Sequence, residues 1–253
     1  RSHCSNNLRQ YGHAFQSYLS IYKTLPDGNI PKKFWTAQSH LLPYLEEQRI
    51  YSLIKYKEDC FAYFLAVGLN GHPANQHVNV YYCPSDPNGH KVFKGSSILD
   101  GYHYPMDYMA VIGTSNEKKD GLFYSGSRVK QREISDGMSK TLAMGERGIP
   151  ADLIFGWAVC AAGIQPLEEG EWDNLLSTKN GLSVSISDLR PDVHYLDPTY
   201  TVYNHVDHFF SYHPGGAYFL MADGSTHFLP YDISFRVLNA YATRDGHETV
   251  PAP

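Results

Sequence analysis

The sequence predicts an α+β fold in which helices come first and an antiparallel β-sheet follows. Near the N-terminus, apolar residues recur every three or four positions, which is the spacing of one face of an α-helix. From residue 76 onward, the apolar runs are short and are separated by Gly, Asn and Asp, as in strands joined by turns. Strands and helices do not alternate as they do in a parallel sheet. We therefore expect one domain over residues 1–253.

The first helix is expected over residues 1–24, before the turn sequence Pro26-Asp27-Gly28. Its first turn has no clear start signal, which is typical of a helix that continues upstream of Arg1. Its apolar face consists of Leu8, Tyr11, Phe15, Tyr18, Leu19 and Tyr22, of which the first five are expected to pack the helix on the domain.

A helical segment is expected over residues 25–75, and the sheet over residues 76–253. The helical segment includes residues 36–54, where Pro43 suits the first turn of a helix at 44–54, and a short helix at 59–69. A last helix is expected to start at Asp232, a good N-cap residue. The expected strands are residues 78–82, 108–112, 122–124, 141–144, 155–160, 208–212, 217–222 and 226–229. Residues 163–200 are rich in acidic residues, Gly and Pro, which predicts a long surface excursion.

Composition and charge exclude several classes of protein. The chain is 42% hydrophobic and 19% charged, which is a globular composition. The formal net charge is −5 and Lys and Arg are not clustered, so nucleic acid is not an expected partner, because phosphate binding needs a concentrated basic face. No stretch approaches the roughly 18 apolar residues that cross a bilayer. A membrane anchor is therefore expected only in a segment removed from upstream of Arg1.

Four cysteines, Cys4, Cys60, Cys83 and Cys160, allow three pairings if all are bridged. Their spacing is too wide for a zinc ribbon, whose paired ligands lie within a few residues of each other. Disulfides formed in an oxidising compartment are favoured over free buried thiols. Together with the abundance of Tyr and Pro, this indicates an extracytoplasmic protein.

A run of residues near the C-terminus predicts two turns around one buried strand. His213-Pro214-Gly215-Gly216 precedes an apolar segment that ends at Asp223-Gly224-Ser225, and Asp-Gly predicts a two-residue hairpin. If residues 217–222 form one strand at about 3.3 Å per residue, His213 and Asp223 lie about 20 to 30 Å apart. They then cannot share a metal ion or act as an acid–base pair, and turn or cap roles are favoured for both.

Several short motifs occur in a fixed order along the chain. They are Cys4-Ser5-Asn6-Asn7-Leu8-Arg9-Gln10, Leu41-Leu42-Pro43-Tyr44-Leu45-Glu46, Cys83-Pro84-Ser85-Asp86-Pro87, Ile134-Ser135-Asp136-Gly137-Met138-Ser139-Lys140-Thr141 with Gly145-Glu146, Trp157, the run 213–225, and Thr243-Arg244-Asp245-Gly246-His247-Glu248. On these motifs the chain resembles the secreted, pseudopilin-like proteins that have a prepilin-type N-terminal cleavage and methylation helix and a His-x9-Asp-Gly domain. This family is of unknown function and was formerly labelled solute-binding. Met138, Lys140 and His247 depart from its usual residues.

The resemblance implies a pilin-like architecture, with a long N-terminal helix packed on an antiparallel sheet. An apolar upstream half of that helix would anchor an exported precursor in the membrane and then pack the subunit into a fibre. The implied partners are other copies of the chain and other pilin-like subunits at the cell surface. The residues that carry the family signature, all in implied structural roles, are Asp136, Gly137, Glu146, His213, Gly215, Gly216, Asp223, Gly224 and Ser225. Because Cys4 and Cys83 both lie inside matched motifs, they are the preferred disulfide, which leaves Cys60 with Cys160.

Catalysis is not expected, and a metal-dependent hydrolase is the second alternative function. His205, Asp207 and His213 would share one face of a regular strand, with His208 and His103 as further candidates for zinc. Thirteen histidines produce such alignments by chance, however, and the sequence has no His-Glu-x-x-His helix. It also lacks the Gly-x-Ser-x-Gly turn of serine hydrolases.

Structural calcium is the one candidate cofactor, suggested by analogy with pseudopilins. The acids in or beside predicted turns are Asp86, Asp107, Asp136, Glu146 and Asp223. No complete calcium-binding loop appears, so no ligand set is assigned, and the alternative role for these acids is to cap turns through the local backbone.

The first alternative function is an extracytoplasmic module that binds a solute or a glycan. Trp35, Trp157 and Trp172 would offer stacking surfaces, although aromatic residues more often belong to a core. An enzyme predicts a pocket with converging titratable groups, and a binding module predicts an aromatic cleft. For a filament subunit we expect neither such a pocket nor such a cleft, but apolar patches around the helix. This structural role is the favoured interpretation.

Overall fold

The chain folds with most of its helices before the main sheet. The computed structural model describes residues 1–89, 93–94, 102–149, 157–158, 174–182, 208–251 and 253. The α-helices are α1 (Ser2–Tyr22), α2 (Ala37–Leu41), α3 (Gln48–Tyr51), α4 (Cys60–Gly71) and α5 (Phe235–Ala242). Short 3-10 helices lie at Leu42–Leu45, Pro73–Asn75, Asn79–Tyr81 and Gln131–Glu133. The strands are β1 (Phe93–Lys94), β2 (Tyr102–His103), β3 (Tyr108–Gly113), β4 (Leu142–Glu146), β5 (Leu175–Ser177), β6 (Gly216–Met221) and β7 (Thr226–Pro230).

The main sheet has five strands in the order β5-β3-β4-β6-β7. Three neighbouring pairs are antiparallel, and β5 runs parallel to β3. β1 and β2 pair separately. Every residue of β3 and β4 is buried, so these two strands form the interior of the sheet. The predicted α+β class is confirmed, with an N-terminal helix on a mostly antiparallel sheet, an arrangement consistent with a pilin-like fold.

α1 packs on the sheet through its predicted apolar face. Leu8, Tyr11, Phe15 and Leu19 are buried, and Tyr18 is partly buried against the core. The Tyr11 ring lies 5.4 Å from that of Tyr81 and 5.9 Å from that of Tyr108, so it joins the helix to two other segments. Tyr22, which the periodicity places on the same face but which was not expected to pack the helix on the domain, is 54% exposed and lies beside the Tyr18 ring.

The helical segment after α1 is more broken than predicted. α4 agrees with the short helix predicted at 59–69, and Asp59 caps it by accepting a hydrogen bond from the Ala62 amide. The continuous helix at 44–54 is wrong. Pro43 lies instead in the first turn of the 3-10 helix Leu42–Leu45, which ends at Glu46 with φ 63°, and α3 is a separate single turn.

Three predicted strands are wrong. Residues 78–82 contain the 3-10 helix Asn79–Tyr81, residues 122–124 are irregular, and residues 208–212 form only isolated bridges at Phe209 and Phe210. All three segments place aromatic or aliphatic side chains in the core without forming a ladder. Burial alone therefore produced the apolar pattern that resembled strands.

Two further elements differ from the prediction. Residues 175–177 form β5, a buried strand at the edge of the order β5-β3-β4-β6-β7, so the surface excursion over 163–200 is wrong at this point. Ser234, not Asp232, caps α5, because its side chain accepts the Val237 amide. Of the strand predicted at 155–160, only Trp157 and Ala158 lie within the described residues, in a turn. Residues 108–112, 141–144, 217–222 and 226–229 largely coincide with β3, β4, β6 and β7.

In the part of the chain that the structure describes, no helix is both long enough and apolar enough to cross a membrane.

α1 approaches the connection between β6 and β7 most closely at Gly12. A Cβ atom added at Gly12 would lie 2.9 Å from both the Cα and the carbonyl oxygen of Gly224, and 3.1 Å from Leu220 Cδ1. Gly224 has φ +91°, a left-handed conformation that favours glycine. The two glycines thus let helix backbone touch turn backbone.

Gly12→Ala is expected to destabilise the fold by roughly 1–3 kcal/mol, because the added methyl group has no room without a shift of backbone. The same change in an unconstrained helix interior ordinarily stabilises by about 0.5–1 kcal/mol. The free energy of unfolding in urea measures the effect. Ser17→Ala, on the exposed side of α1, is the control and should change little. A Gly12→Ala protein at least as stable as the parent would contradict the close contact.

The C-terminal end of α1 meets a cluster of aromatic rings. The Tyr18 ring lies 6.2 Å from that of His40, which stacks on Tyr56 with 4.5 Å between ring centroids. Among the described residues, His40 Nε2 is buried without a hydrogen-bond partner. Burial, together with the nearby charge of Arg128, lowers the pKa of His40 to about 4. The imidazole is therefore neutral in the folded chain at neutral pH.

Acidification is expected to destabilise the fold through His40. The pKa of an unfolded histidine is about 6.5, so the unfolded chain binds this proton first as the pH falls. The stabilisation is complete above that pKa and is lost as the pH approaches the folded pKa of about 4, by roughly 3 kcal/mol. His40→Phe, which keeps a ring on Tyr56, should remove this part of the pH slope of unfolding. His13→Ala, on an exposed position of α1, should retain it; equal slopes in both variants would refute the assignment.

Candidate functional site

A disulfide joins Cys4, in the first turn of α1, to Cys83, 79 residues later. Both residues are buried, so the predicted pair is confirmed as an internal link between the helix and the segment after Asn79–Tyr81. The Sγ atom of Cys60 is also buried and lies 3.6 Å from His72 Nε2. Cys160 lies outside the described residues, and its pairing with Cys60 stays a prediction.

His213 and Glu146 meet beside this disulfide. Glu146 ends β4 and His213 precedes β6, and the antiparallel pairing of these strands brings both residues to one end of the sheet. His213 Nε2 lies 3.4 Å from Glu146 Oε1 and 3.5 Å from Cys83 Sγ. The second carboxylate oxygen of Glu146 accepts the Tyr218 amide at 2.7 Å.

The contact between Glu146 and His213 was not predicted from the sequence. The available signal was the position of each residue relative to a predicted strand. Glu146 follows the strand predicted at 141–144, and His213 precedes the strand predicted at 217–222. Antiparallel neighbours place the end of one strand beside the start of the other. The contact follows only when β4 and β6 are known to be neighbours, and the strand order could not be predicted from the sequence.

Two buried carboxyl groups lie next to Cys83. Asp107 Oδ2 accepts the Cys83 amide at 2.8 Å, and the Asp107 carboxyl also hydrogen-bonds Asp86. Asp86 accepts the amides of Asn88 at 2.6 Å and Ile149 at 2.7 Å. Burial raises the pKa of Asp107 well above its usual range, and the charge and hydrogen bond of Asp86 raise it further. The protonated form of the Asp107 carboxyl is therefore favoured.

Chemically, this arrangement favours a structural link. A His–Glu pair is suited to acid–base catalysis, but such a pair has to reach a substrate. Here the side chains of His213 and Glu146 are 2% and 1% exposed. The neighbouring disulfide offers no thiolate for nucleophilic attack. The contacts instead hold α1, the end of β4 and the turn before β6 together.

Asp136 forms a second anchor and holds the C-terminal motif. Its Oδ1 accepts the His247 amide at 2.7 Å, and its Oδ2 accepts the Gly246 amide at 2.7 Å and the Thr243 hydroxyl at 3.0 Å. The Asp136 amide donates to the Arg244 carbonyl at 3.2 Å. Two motifs of the family, 110 residues apart, are therefore direct partners.

Asp223 has a local role at the opposite end of β6 from His213. Its Oδ1 accepts the Ser225 amide at 2.8 Å and the Ser225 hydroxyl at 2.6 Å. The predicted separation of His213 and Asp223 by one strand agrees with β6. The two-residue hairpin is wrong, since residues 222–225 connect β6 to β7. The amides of Ala222 and Asp223 donate to the carbonyls of Thr141 and Met138 instead of bonding to β7.

Only some of the predicted zinc ligands lie within the described residues. His213 contacts Glu146, whereas His208 is buried with its ring 5.5 Å from that of Phe210. His103 belongs to β2. His205 and Asp207 lie outside the described residues, so their alignment with His213 stays a prediction.

The calcium candidates fall into separate places. Asp86 and Asp107 are in contact, while Asp136 and Asp223 lie in different turns. Each of these four acids, like Glu146, accepts at least one backbone amide, which is the alternative role considered for them. A calcium ion at any of them stays a prediction.

The tryptophans do not form a stacking surface where the structure describes them. Trp35 and Trp157 are fully buried. The Trp35 indole donates to the carbonyls of Lys55 at 3.2 Å and Glu58 at 3.1 Å, and the Trp157 indole donates to Gln76 at 2.9 Å. The stacking role is wrong for these two, and Trp172 lies outside the described residues.

Comparison with known proteins identifies the family. The family described as "Protein of unknown function (DUF1559)" matches residues 1–236. The chain therefore belongs to the DUF1559 family. Searches of the curated proteins and of the solved structures found no match.

Asp136→Ala is expected to lower the free energy of unfolding by roughly 2–3 kcal/mol, because it removes a charged acceptor from three donors. Urea unfolding measures the loss, and amide hydrogen exchange at residues 246 and 247 should accelerate. Asp232→Ala, at an exposed position near α5, is the control. Unchanged exchange at those two amides would refute the anchoring role.

Proposed function

We propose that this member of the DUF1559 family is a structural subunit of a cell-surface filament or pseudopilus-type assembly. The observation that carries the proposal is the covalent link between the first turn of α1 and the body of the domain through Cys4 and Cys83. A force applied to a helical segment upstream of Arg1 would pass through this bond into the sheet. Without it, only non-covalent contacts of α1 would resist the pull.

In the proposed precursor, α1 continues upstream of Arg1 as an apolar helix, which anchors the exported subunit in the membrane before assembly.

The last turn of α1 offers an apolar contact. Ile21 and Tyr22 are neighbouring large side chains that are 60% and 54% exposed. An open groove along the same end of α1 is lined by other residues, among them Gln16, Leu19 and Lys130. In the proposed assembly this surface contacts a neighbouring subunit, either another copy of the chain or another pilin-like protein.

The two alternatives receive less support. A solute- or glycan-binding module would need exposed aromatic rings, but Trp35 and Trp157 are buried. A metal-dependent hydrolase would need an accessible site, but His213 and Glu146 are enclosed. The disulfide is typical of an oxidising compartment, which favours an extracellular or cell-surface location for the assembly.

The intact mass and N-terminal sequence of the native protein test this proposal directly. We expect an apolar segment of about 20 residues before Arg1, with a methylated first residue. A native protein that begins at Arg1 and stays monomeric at high concentration would overturn the proposal.

Ile21→Glu is expected to abolish assembly of the native protein while leaving its unfolding midpoint nearly unchanged, because the side chain is exposed in the subunit. Val67→Glu, at another exposed apolar position on α4, is the matched control and should assemble normally. Pelleting of surface filaments and electron microscopy measure assembly. Normal filaments from Ile21→Glu would exclude this surface as the subunit contact.

A further inference from the structure

We propose that Cys4, Cys83, His213 and Glu146 form a tetrahedral Zn²⁺ site when the disulfide is reduced. One ligand atom from each residue lies within 4.8 Å of the other three, and all four residues are buried. They come from the first turn of α1, the segment after Asn79–Tyr81, the turn before β6 and the end of β4. The site is independent of the proposed filament role.

Two of the distances already match a zinc tetrahedron. With Zn–S of about 2.3 Å and Zn–N and Zn–O of about 2.0–2.2 Å, a sulfur and a nitrogen ligand are separated by about 3.5 Å, and a nitrogen and an oxygen ligand by about 3.4 Å. Cys83 Sγ lies 3.5 Å from His213 Nε2, which lies 3.4 Å from Glu146 Oε1. To bind zinc, the two sulfur atoms have to separate to about 3.7 Å. The remaining pairs of ligand atoms, which lie within 4.8 Å of one another, have to adjust to similar separations.

Glu146 Oε1 is free to accept a metal ion. Glu146 Oε2 is engaged by the Tyr218 amide, whereas Oε1 is buried and accepts no hydrogen bond among the described residues. His213 Nε2 lies 3.4 Å from it. A buried oxygen without a donor is unfavourable, and a cation would satisfy it.

Reduction opens the disulfide before the metal binds. A dithiol reductant transfers two electrons and two protons to the Cys4–Cys83 bond and becomes a disulfide itself. Binding of Zn²⁺ then releases both thiol protons, so that two thiolates, neutral His213 through Nε2 and the Glu146 carboxylate hold the metal. The same residues thus tie α1 to the sheet in either redox state, by a covalent bond or by a metal ion.

Refolding with Co²⁺ as a spectroscopic substitute for Zn²⁺ tests the site. The full chain is unfolded, reduced with a phosphine, which is itself oxidised to the phosphine oxide, and refolded without oxygen, with or without the metal. We expect about one Co²⁺ per chain, with thiolate-to-cobalt charge-transfer bands and tetrahedral d–d bands, both displaced by Zn²⁺. The oxidised chain should show neither band.

Variants assign the ligands. His213→Ala and Glu146→Gln should each weaken Co²⁺ binding at least about tenfold. His227→Ala, a histidine on β7 outside the cluster, should bind like the parent. Cys60→Ala combined with Cys160→Ala should keep the charge-transfer bands, which excludes those thiols as their source.

Three results would overturn the proposal. The reduced chain could fold, as judged by circular dichroism, and bind no Co²⁺. It could bind Co²⁺ without thiolate charge transfer, or with equal affinity in His213→Ala. It could also fail to fold both with and without metal. That result would contradict the proposal because a site of this composition should stabilise the folded chain by its binding free energy.

Discussion

The close seating of α1 against the β6–β7 connection constrains the rest of the structure. Gly12 and Gly224 bring the helix backbone against the backbone of residues 222–225, at a spacing that no Cβ atom would fit. This approach places Tyr11 and Phe15 deep enough for their rings to meet Tyr81 and Phe123. It also positions Cys4 within bonding distance of Cys83. Helix packing and the disulfide therefore depend on the contact between the backbone of α1 and the backbone of the β6–β7 connection. The disulfide stabilises the folded chain further, by about 4 to 5 kcal/mol on the chain-entropy account.

The motifs that identify the family acquire a physical meaning in this fold, because several of them are partners of one another. The N-terminal motif contributes Cys4, which bonds Cys83 of another motif, and His213 and Glu146 of two more motifs lie against that bond. Asp136 likewise joins its motif to the one that contains Gly246. Residues far apart in sequence thus form a few buried junctions. The residues of the family signature therefore hold connecting segments together at these junctions. This explains why they are turn formers and hydrogen-bonding groups placed at strand ends.

Periodicity predicted the elements that obey it and failed where burial had another cause. α1 has a regular apolar face, and β3, β4, β6 and β7 lie between Gly and Asp turns, so their positions followed from the sequence. Val78, Val80 and Tyr82 also alternate like a strand, but they are buried in and around the 3-10 helix Asn79–Tyr81. β5 is three residues long inside an acidic, Gly-rich stretch, and its parallel partner β3 is remote in sequence. Pairing information of that kind is not encoded locally, and for the same reason the approach of Glu146 to His213 was not predictable.

The buried junction at Cys4 also bears on how the chain reaches its final state. A disulfide that closes over 79 residues forms only after α1 and the segment before Cys83 have met, so some other interaction has to hold them first. The hydrophobic face of α1 supplies part of that interaction, and His213 and Glu146 complete a polar end beside the two sulfur atoms. With both cysteines reduced, this end is a set of four metal donors. A metal ion would then hold the helix in register until oxidation forms the disulfide, a covalent bond that resists a pulling force better than a set of non-covalent contacts does.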